Sequence, residues 1–276
     1  MVDLTNENVI HVKKENIEYL QFKKLLEFDD IISHAITLRK YNINYIDYTQ
    51  ENKYNRISSY DRICEELNLE KENIILCYQK HTDNVECVFE AVKKENLYDW
   101  QYDNTDGVIT NKKKLVLVST IADCIPLLFF DPVTKTIANV HSGWKGTTLK
   151  IAQKTVEKMV KEYGVKPCNL ICAIGPSIGK CHFEVEDDVY KLFKDSFDDM
   201  FNKYHELLSI SSKNGVNKYN IDTVLINQYM LEEMGLKRDN ILKSGICTVC
   251  NSDLIHSFRV DKEKSGRNLA VIELKK

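Results

Sequence analysis

A hairpin near the middle of the chain constrains the fold more than any other feature. Ile125-Pro126-Leu127-Leu128-Phe129-Phe130 reads as an apolar strand. Asp131-Pro132 opens a turn, because proline pre-sets φ for the second turn position and aspartate favours the first. Thr136-Ile137-Ala138-Asn139-Val140 reads as the returning strand. A hairpin centred on Pro132-Val133 makes Cys124 and His141 direct cross-strand partners, with Cβ atoms about 4.5–5.5 Å apart on one face. A thiolate and an imidazole at that spacing can grip one zinc ion, or work as nucleophile and base. A five-residue loop would slip the register by one and send them to opposite faces.

The hairpin sits in a chain of 276 residues with 43% hydrophobic content, enough for a substantial core. The net charge of −3 gives no pull toward nucleic acid. The nine cysteines are odd in number and scattered, which suits reduced thiols in a cytoplasm. Met1-Val2-Asp3-Leu4-Thr5-Asn6 lacks a basic region followed by an apolar core. The longest apolar stretch, Leu115 to Phe130, is interrupted by Asp123 and is short for a bilayer span. The expectation is a soluble, cytoplasmic protein without membrane or nucleic-acid partners, a monomer or small homo-oligomer.

Four helices are expected. Ser58 or Ser59 caps one that ends at Leu67. Thr147 or Thr148 caps a long one through Tyr163, closed by Gly164. A third runs from Val185 to Phe197, its start enriched in acids. The fourth runs from Asp222 to Met234 and is ended by Gly235. Strands are expected at Ile74–Gln79, Asn84–Val92, Gly107–Thr110, Leu115–Thr120, the hairpin, Leu170–Ile174, Ile241–Gly245, Ser257–Val260 and Asn268–Leu274. No clean βαβ repeat emerges, so the class is α+β and a doubly wound nucleotide fold is disfavoured.

Two clusters compete for chemistry. His81, Cys124 and His141 form the first: a third ligand from a separate strand end is how an open catalytic zinc site is often built. On spacing alone, a small buried Cys124 and a hydrogen-bonded structural His141 explain these residues as well. The second pairs His182-Phe183-Glu184 with Cys247-Thr248-Val249-Cys250, imitating the zinc nucleobase-deaminase signature. Ile246 stands where that signature wants proline, and its halves lie far apart in sequence. Trp144 offers either a flat face for a ring or core area. Arg259 and Arg267 can bind phosphate or make structural ion pairs.

Thr120-Ile121-Ala122-Asp123-Cys124-Ile125-Pro126, Val140-His141-Ser142-Gly143-Trp144-Lys145-Gly146-Thr147, Ile174-Gly175-Pro176-Ser177-Ile178-Gly179, Cys247-Thr248, Phe258-Arg259 and Gly266-Arg267 together resemble the laccase-domain family. Its members, once called multicopper polyphenol oxidases, are read as purine nucleoside phosphorylases that also deaminate adenosine. The matches run from about residue 30 to 274 in the family's order. The resemblance implies one domain over residues 1–276, with mixed β-sheets flanked by helices in an α/β/β/α-type sandwich. It implies zinc on His81, Cys124 and His141, and purine nucleosides and inorganic phosphate as substrates. It places Asp106 near the site. Asp123 or Asp106 would then shuttle protons, and Arg39, Lys145 or Arg259 would hold phosphate. In place of the family's Gly-Gly-x-Ser loop, Arg39 is followed by Lys40-Tyr41-Asn42-Ile43-Asn44, and Lys145 replaces the commoner arginine.

Other classes stay open at this level. A His₂Cys set is also the blue-copper ligand set, although seven histidines without a His-x-His pair are few for a multicopper cluster. Cys124 and His141 without metal would make a hydrolase. A non-enzymatic binding module is the remaining alternative.

Overall fold

In the computed structural model, residues 2–41, 60–91, 99–213 and 215–275 are described. The N-terminal part forms β1 (Val9–Lys13), β2 (Glu18–Phe22), α1 (Lys23–Leu26), β3 (Ile32–Thr37) and a helical segment 60–67, α2. The middle supplies β4 (Ile74–Tyr78), β5 (Val85–Cys87), β6 (Tyr102–Asp103), β7 (Gly107–Thr110), β8 (Val116–Ile121), β9 (Ile125–Asp131) and β10 (Thr136–Ser142). Next come α3 (Trp144–Thr148), α4 (Ile151–Tyr163), β11 (Ile171–Ile174), β12 (Glu184–Val185) and α5 (Asp187–Lys203). The C-terminal part contains β13 (Leu208–Lys213), β14 (Val216–Ile221), α6 (Thr223–Glu233), β15 (Ile241–Lys243), α7 (Phe258–Asp261) and β16 (Asn268–Leu274).

Two mixed sheets carry the architecture. One has the order β1-β2-β3-β16-β8-β4-β6, the other β15-β11-β9-β10-β7-β5. A small third sheet, β12-β14-β13, stands apart from both. The alternating side chains of β9 explain the layering. Leu128 and Phe130 enter a core shared with Leu20, Ile36, Leu117 and Ile272 of the opposite sheet. Leu127 and Phe129 face the other way and pack with Val156 and Met159 of α4, Phe193 of α5 and Ile226 of α6. Ile63 and Cys64 of α2 cover the far face of the first sheet against Val116, Val118 and Val271. Helix, sheet, sheet and helix follow in that order, as the α+β sandwich expectation requires. Burying each such phenylalanine contributes roughly 1.5–3 kcal/mol, and β9 is buried along its whole length.

Local chemistry bounds α4 and α6 close to where expected, whereas the helix expected from Val185 to Phe197 starts at Asp187, after Val185 has paired in β12, and runs on to Lys203 past a non-helical Phe197. Gly164, at φ 66°, closes α4 with its N–H bonded to the last turn. The Asp222 carboxylate accepts the Leu225 N–H at 2.9 Å and caps α6. Among the described residues, no helix is long and apolar enough to cross a membrane.

Several expectations change. The hairpin pairs Asp131 with Thr136 and His141 with Pro126, so Cys124 and His141 are not directly opposed. Asp131 accepts the Val133 and Thr134 N–H groups and the Thr134 hydroxyl, tightening a four-residue loop of Pro132 to Lys135. The register moves by two positions, which preserves the face. The strand expected over 257–260 is helical from Phe258 onward, because the Ser257 hydroxyl accepts the Val260 N–H and caps α7. The helix expected from Thr147 to Tyr163 is two helices, broken at Lys150 in left-handed geometry, φ 61°. Ser58 and Ser59, expected as caps, lie outside the described residues. Strands β1 to β3 and the β13–β14 pair lack a clear apolar alternation and were not anticipated.

Candidate active site

Strand direction gathers the chemistry at one end of the six-stranded sheet. β9 and β7 both run antiparallel to β10, so each starts where β10 ends. β5 runs parallel to β7 and starts there too. Cys124 directly precedes β9, Asp106 directly precedes β7, His81 lies in the loop before β5, and His141 is the penultimate residue of β10. β11 is antiparallel to β9 and parallel to β15, so the loops after Ile174 and Lys243 reach the same end.

His81, Cys124 and His141 offer one ligand atom each, all within 4.8 Å of one another. Cys124 Sγ lies 3.6 Å from His81 Nε2, and the two imidazole rings meet edge to face at 4.9 Å. Buried Asp106 holds this set together. Its carboxylate accepts the backbone N–H groups of Lys80, His81 and Thr82 and the Thr82 hydroxyl, at 2.8 to 3.1 Å. It also bonds His141 Nδ1 at 2.8 Å, which leaves Nε2 of that ring for a ligand. These bonds hold His81 in left-handed geometry, φ 59°. Gly143 permits the close approach. A Cβ there would sit 2.5 Å from His81 Cδ2 and 3.1 Å from Cys124 Sγ.

The electrostatics fit a cation between these groups. Burial resists ionisation of Cys124, but His141 and His81 outweigh it and bring the thiol down to about 6. Burial likewise resists protonation of His141, but the Cys124 thiolate and Asp106 outweigh it and lift the ring to about 9. A metal ion held by thiolate and imidazole takes the place of that proton. The Asp106 carboxyl, despite its burial, is held below its ordinary value by His141 and Thr82. Donor set and spacing suit zinc, whose bonds of about 2.3 Å to sulfur and 2.0–2.1 Å to nitrogen put a sulfur and a nitrogen ligand about 3.5–3.6 Å apart in a tetrahedron.

Above the cluster opens a cavity of about 480 Å³. His81, Cys124 and His141 line it together with Asp123, Ser142, Trp144, Phe183, Thr223, Phe258, Arg259, Lys262 and Arg267.

A family model described as multi-copper polyphenol oxidoreductase laccase matches residues 36–275. The chain belongs to that family. Among its relatives, a purine nucleoside phosphorylase of Bacteroides thetaiotaomicron is 30% identical over 207 residues, covering 74% of each chain. Purine nucleoside phosphorylase YlmD of Bacillus subtilis is 28% identical over 226 residues, 79% of this chain and 77% of its own. Human purine nucleoside phosphorylase LACC1 is 30% identical over 257 residues, 89% of this chain but 56% of its own. Two solved structures share the fold at TM-score 0.84: a hypothetical protein YfiH of Bacillus licheniformis, 24% identical over 96% of this chain and 99% of its own, and YlmD of Geobacillus stearothermophilus, 22% identical over 97% and 100%.

In this member of the laccase family, the residues expected from sequence divide into two groups. His81, Cys124, His141, Asp123, Trp144 and Arg259 all line the cavity. Asp106 stands behind it, bonded to His141. Asp123, at φ 79°, accepts the Thr248 hydroxyl at 2.5 Å and the Arg259 N–H at 2.6 Å, tying the C-terminal segment to the cluster. Arg259 spans to the carbonyls of His182 and Glu184. Arg39 is not brought to the cavity. Its guanidinium bonds Asp261 Oδ2 at 2.7 Å and the Ser252 carbonyl at 2.8 Å. Asn42 to Asn44, which follow it in the sequence, lie outside the described residues. Lys145 is exposed on α3, with Nζ 5.4 Å above the Trp144 ring, and does not line the cavity. One position along a helix turns a side chain by about 100°, so Trp144 and Lys145 do not share a face. Lys262 and Thr223 also line the cavity, and nothing local in the sequence marks them, whereas Phe258 and Arg267 stand in the motifs quoted above, Arg267 as a residue able to bind phosphate or make a structural ion pair.

Proposed function

We propose that this chain is a zinc-dependent purine nucleoside phosphorylase that also deaminates adenosine. It would convert adenosine, inosine or guanosine and phosphate to the free base and ribose 1-phosphate. The observation that carries this reading is the convergence of two imidazoles and a thiol in a cavity that also presents Arg259, Lys262 and Arg267. Its volume lies within the range of about 300–1,000 Å³ usual for small-molecule sites. The names of the relatives point to the same substrates.

His81, Cys124 and His141 would hold the zinc, which supplies Lewis-acid activation at its open position. The chain's own residues do the rest. Arg259, Lys262 and Arg267 supply cationic donors for phosphate oxygens. Trp144, Phe183 and Phe258 supply apolar ring faces for a purine. In phosphorolysis the C1′–N9 bond breaks as a C1′–O bond to phosphate forms, and the base leaves with the bonding pair and takes up one proton. In deamination water adds at C6 and ammonia leaves. Asp123, the carboxylate lining the cavity, is the group for these proton transfers. Asp106 is a positioning residue, because it lies behind the cavity, bonded to His141 and to the loop that carries His81, and does not line it.

Purified protein is incubated with inosine plus phosphate and, separately, with adenosine. Hypoxanthine and ribose 1-phosphate are expected from the first and inosine from the second, and Cys124→Ala removes both activities. No product in either reaction, with zinc bound, overturns the reading. The Cys124–His141 charge pairing favours a second reading, a metal-free nucleophile and base. An alkylating reagent would abolish that activity and a chelator would spare it. A blue, copper-loaded protein that oxidises phenols would instead identify a laccase.

A further inference from the structure

Outside the cavity, Cys181, His182, Cys247 and Cys250 place three sulfurs and an imidazole nitrogen within 4.8 Å of one another. Sequence separates the pair Cys181 and His182 from the pair Cys247 and Cys250 by more than sixty positions, and the fold removes that distance. The loop after β11 carries Cys181 and His182, and the loop after β15 carries Cys247 and Cys250. The parallel pairing of β11 with β15 brings both loops out at one end of the sheet. An isolated bridge between Ser177 and Cys247 then fastens them, and the Thr248 N–H bonds the Ser177 carbonyl at 3.0 Å.

We propose that these four residues form a second zinc site, closed and structural, distinct from the His81, Cys124 and His141 centre. Tetrahedral zinc with sulfur and nitrogen ligands places the ligand atoms about 3.5–3.8 Å apart. Cys181 and Cys250 sulfurs are 3.8 Å apart, and His182 Nδ1 lies 3.5 Å from Cys250 Sγ and 3.7 Å from Cys247 Sγ. The contact between the adjacent residues Cys181 and His182 is tighter, at 3.1 Å. The Gly179 N–H donates to Cys247 Sγ at 3.3 Å, the outer-shell support usual for a ligating thiolate. Neutral thiols are weak hydrogen-bonding groups, so they give little reason for three of them to gather at a surface.

The donor count separates the two centres. Three protein ligands at the cavity leave a position open, whereas four here fill the tetrahedron. Cys181 is the residue that completes it. The resemblance of His182-Phe183-Glu184 and the Cys247/Cys250 pair to a deaminase signature is therefore misleading, since no position remains for a catalytic water. Instead the site clamps the cavity wall. Thr248, between two of the ligands, bonds Asp123, and the His182 carbonyl holds the Arg259 guanidinium.

The test is metal content per chain, measured by mass spectrometry on protein purified under reducing conditions. About two zinc ions are expected in the unaltered protein, with one lost in Cys124→Ser and a different one lost in Cys250→Ser or Cys181→Ser. A Cys250→Ser protein that fails to fold is bypassed by loading Cys124→Ser protein with cobalt, which is expected to show strong thiolate-to-cobalt absorption. If the cavity holds no metal, the count is one and insensitive to Cys124→Ser, and the second site still stands. Unchanged metal in both Cys250→Ser and Cys181→Ser overturns the proposal, as does the absence of thiolate–cobalt absorption. A Cys181–Cys250 disulfide in the protein as isolated overturns it too.

Discussion

At the scale of single residues, Asp106 and Gly143 shape the cluster without touching a substrate. Asp106 satisfies the backbone of the loop that carries His81 and orients His141 through Nδ1. An amide at this position replaces one acceptor oxygen by a donor that faces N–H groups. Asp106→Asn is expected to weaken metal binding about 10–100-fold, the usual effect of losing an outer-shell partner, as read by competition with a metal indicator. Gly143→Ala tests steric room. The added methyl meets His81 Cδ2 at 2.5 Å and Cys124 Sγ at 3.1 Å, so one ligand must move. Loss of both metal and phosphorolysis with an unchanged circular dichroism spectrum is expected, and a fully loaded, active variant would contradict the placement of His81. The importance of His141 and Cys124 was legible in the sequence because both border the same hairpin. That of Gly143 was not, since its constraint comes from a loop sixty residues earlier.

Among the elements, β3 carries a buried pH sensor. His34 Nε2 accepts the Phe22 N–H of β2 at 2.8 Å, so the folded chain holds this ring neutral. Burial, with a smaller contribution from Lys275, pushes its pKa from 6.5 down to about 3. Between those values the unfolded chain binds the proton and the folded chain does not. The stability from this group is complete above pH 6.5 and is lost progressively as pH falls toward 3. At 1.36 kcal/mol per pH unit, the loss from pH 7 to pH 5 is about 2 kcal/mol. His34→Gln keeps an acceptor for Phe22 and is expected to remove this portion of the acid sensitivity, as measured by denaturant unfolding at the two pH values. Elements with strong local signals were readable in advance, such as β9 and the Gly164 end of α4. Segment 257–260 was not, because Phe258 and Val260 favour a strand while the Ser257 cap and the Asp123 contact to Arg259 favour a turn of helix.

For the molecule as a whole, Asn139 joins the two sheets. It lies on β10, fully enclosed, and its amide donates to the Leu117 carbonyl of β8 at 2.9 Å and to the Ala270 carbonyl of β16 at 2.8 Å. Asn139→Ala removes both bonds and opens a void between the sheets, with an expected cost of about 2–4 kcal/mol. Measured by chemical denaturation, a loss under about 0.5 kcal/mol, typical of surface positions, would show that the sheets are held by apolar contact alone. The asparagine stands out in the sequence as a polar residue among apolar ones, yet its partners lie on strands from two distant parts of the chain.

The sequence by itself determined the hairpin and the α+β class, because short-range periodicity encodes them, and its motifs, through their resemblance to one family, singled out His81, Cys124 and His141 as candidate ligands. Tertiary structure alone decided which cations face the cavity, placing Arg259, Lys262 and Arg267 there while Arg39 pairs with Asp261. It also decided that Cys181, His182, Cys247 and Cys250 meet. Both outcomes depend on strand direction and pairing across the sheets, and no local stretch of residues carries that information.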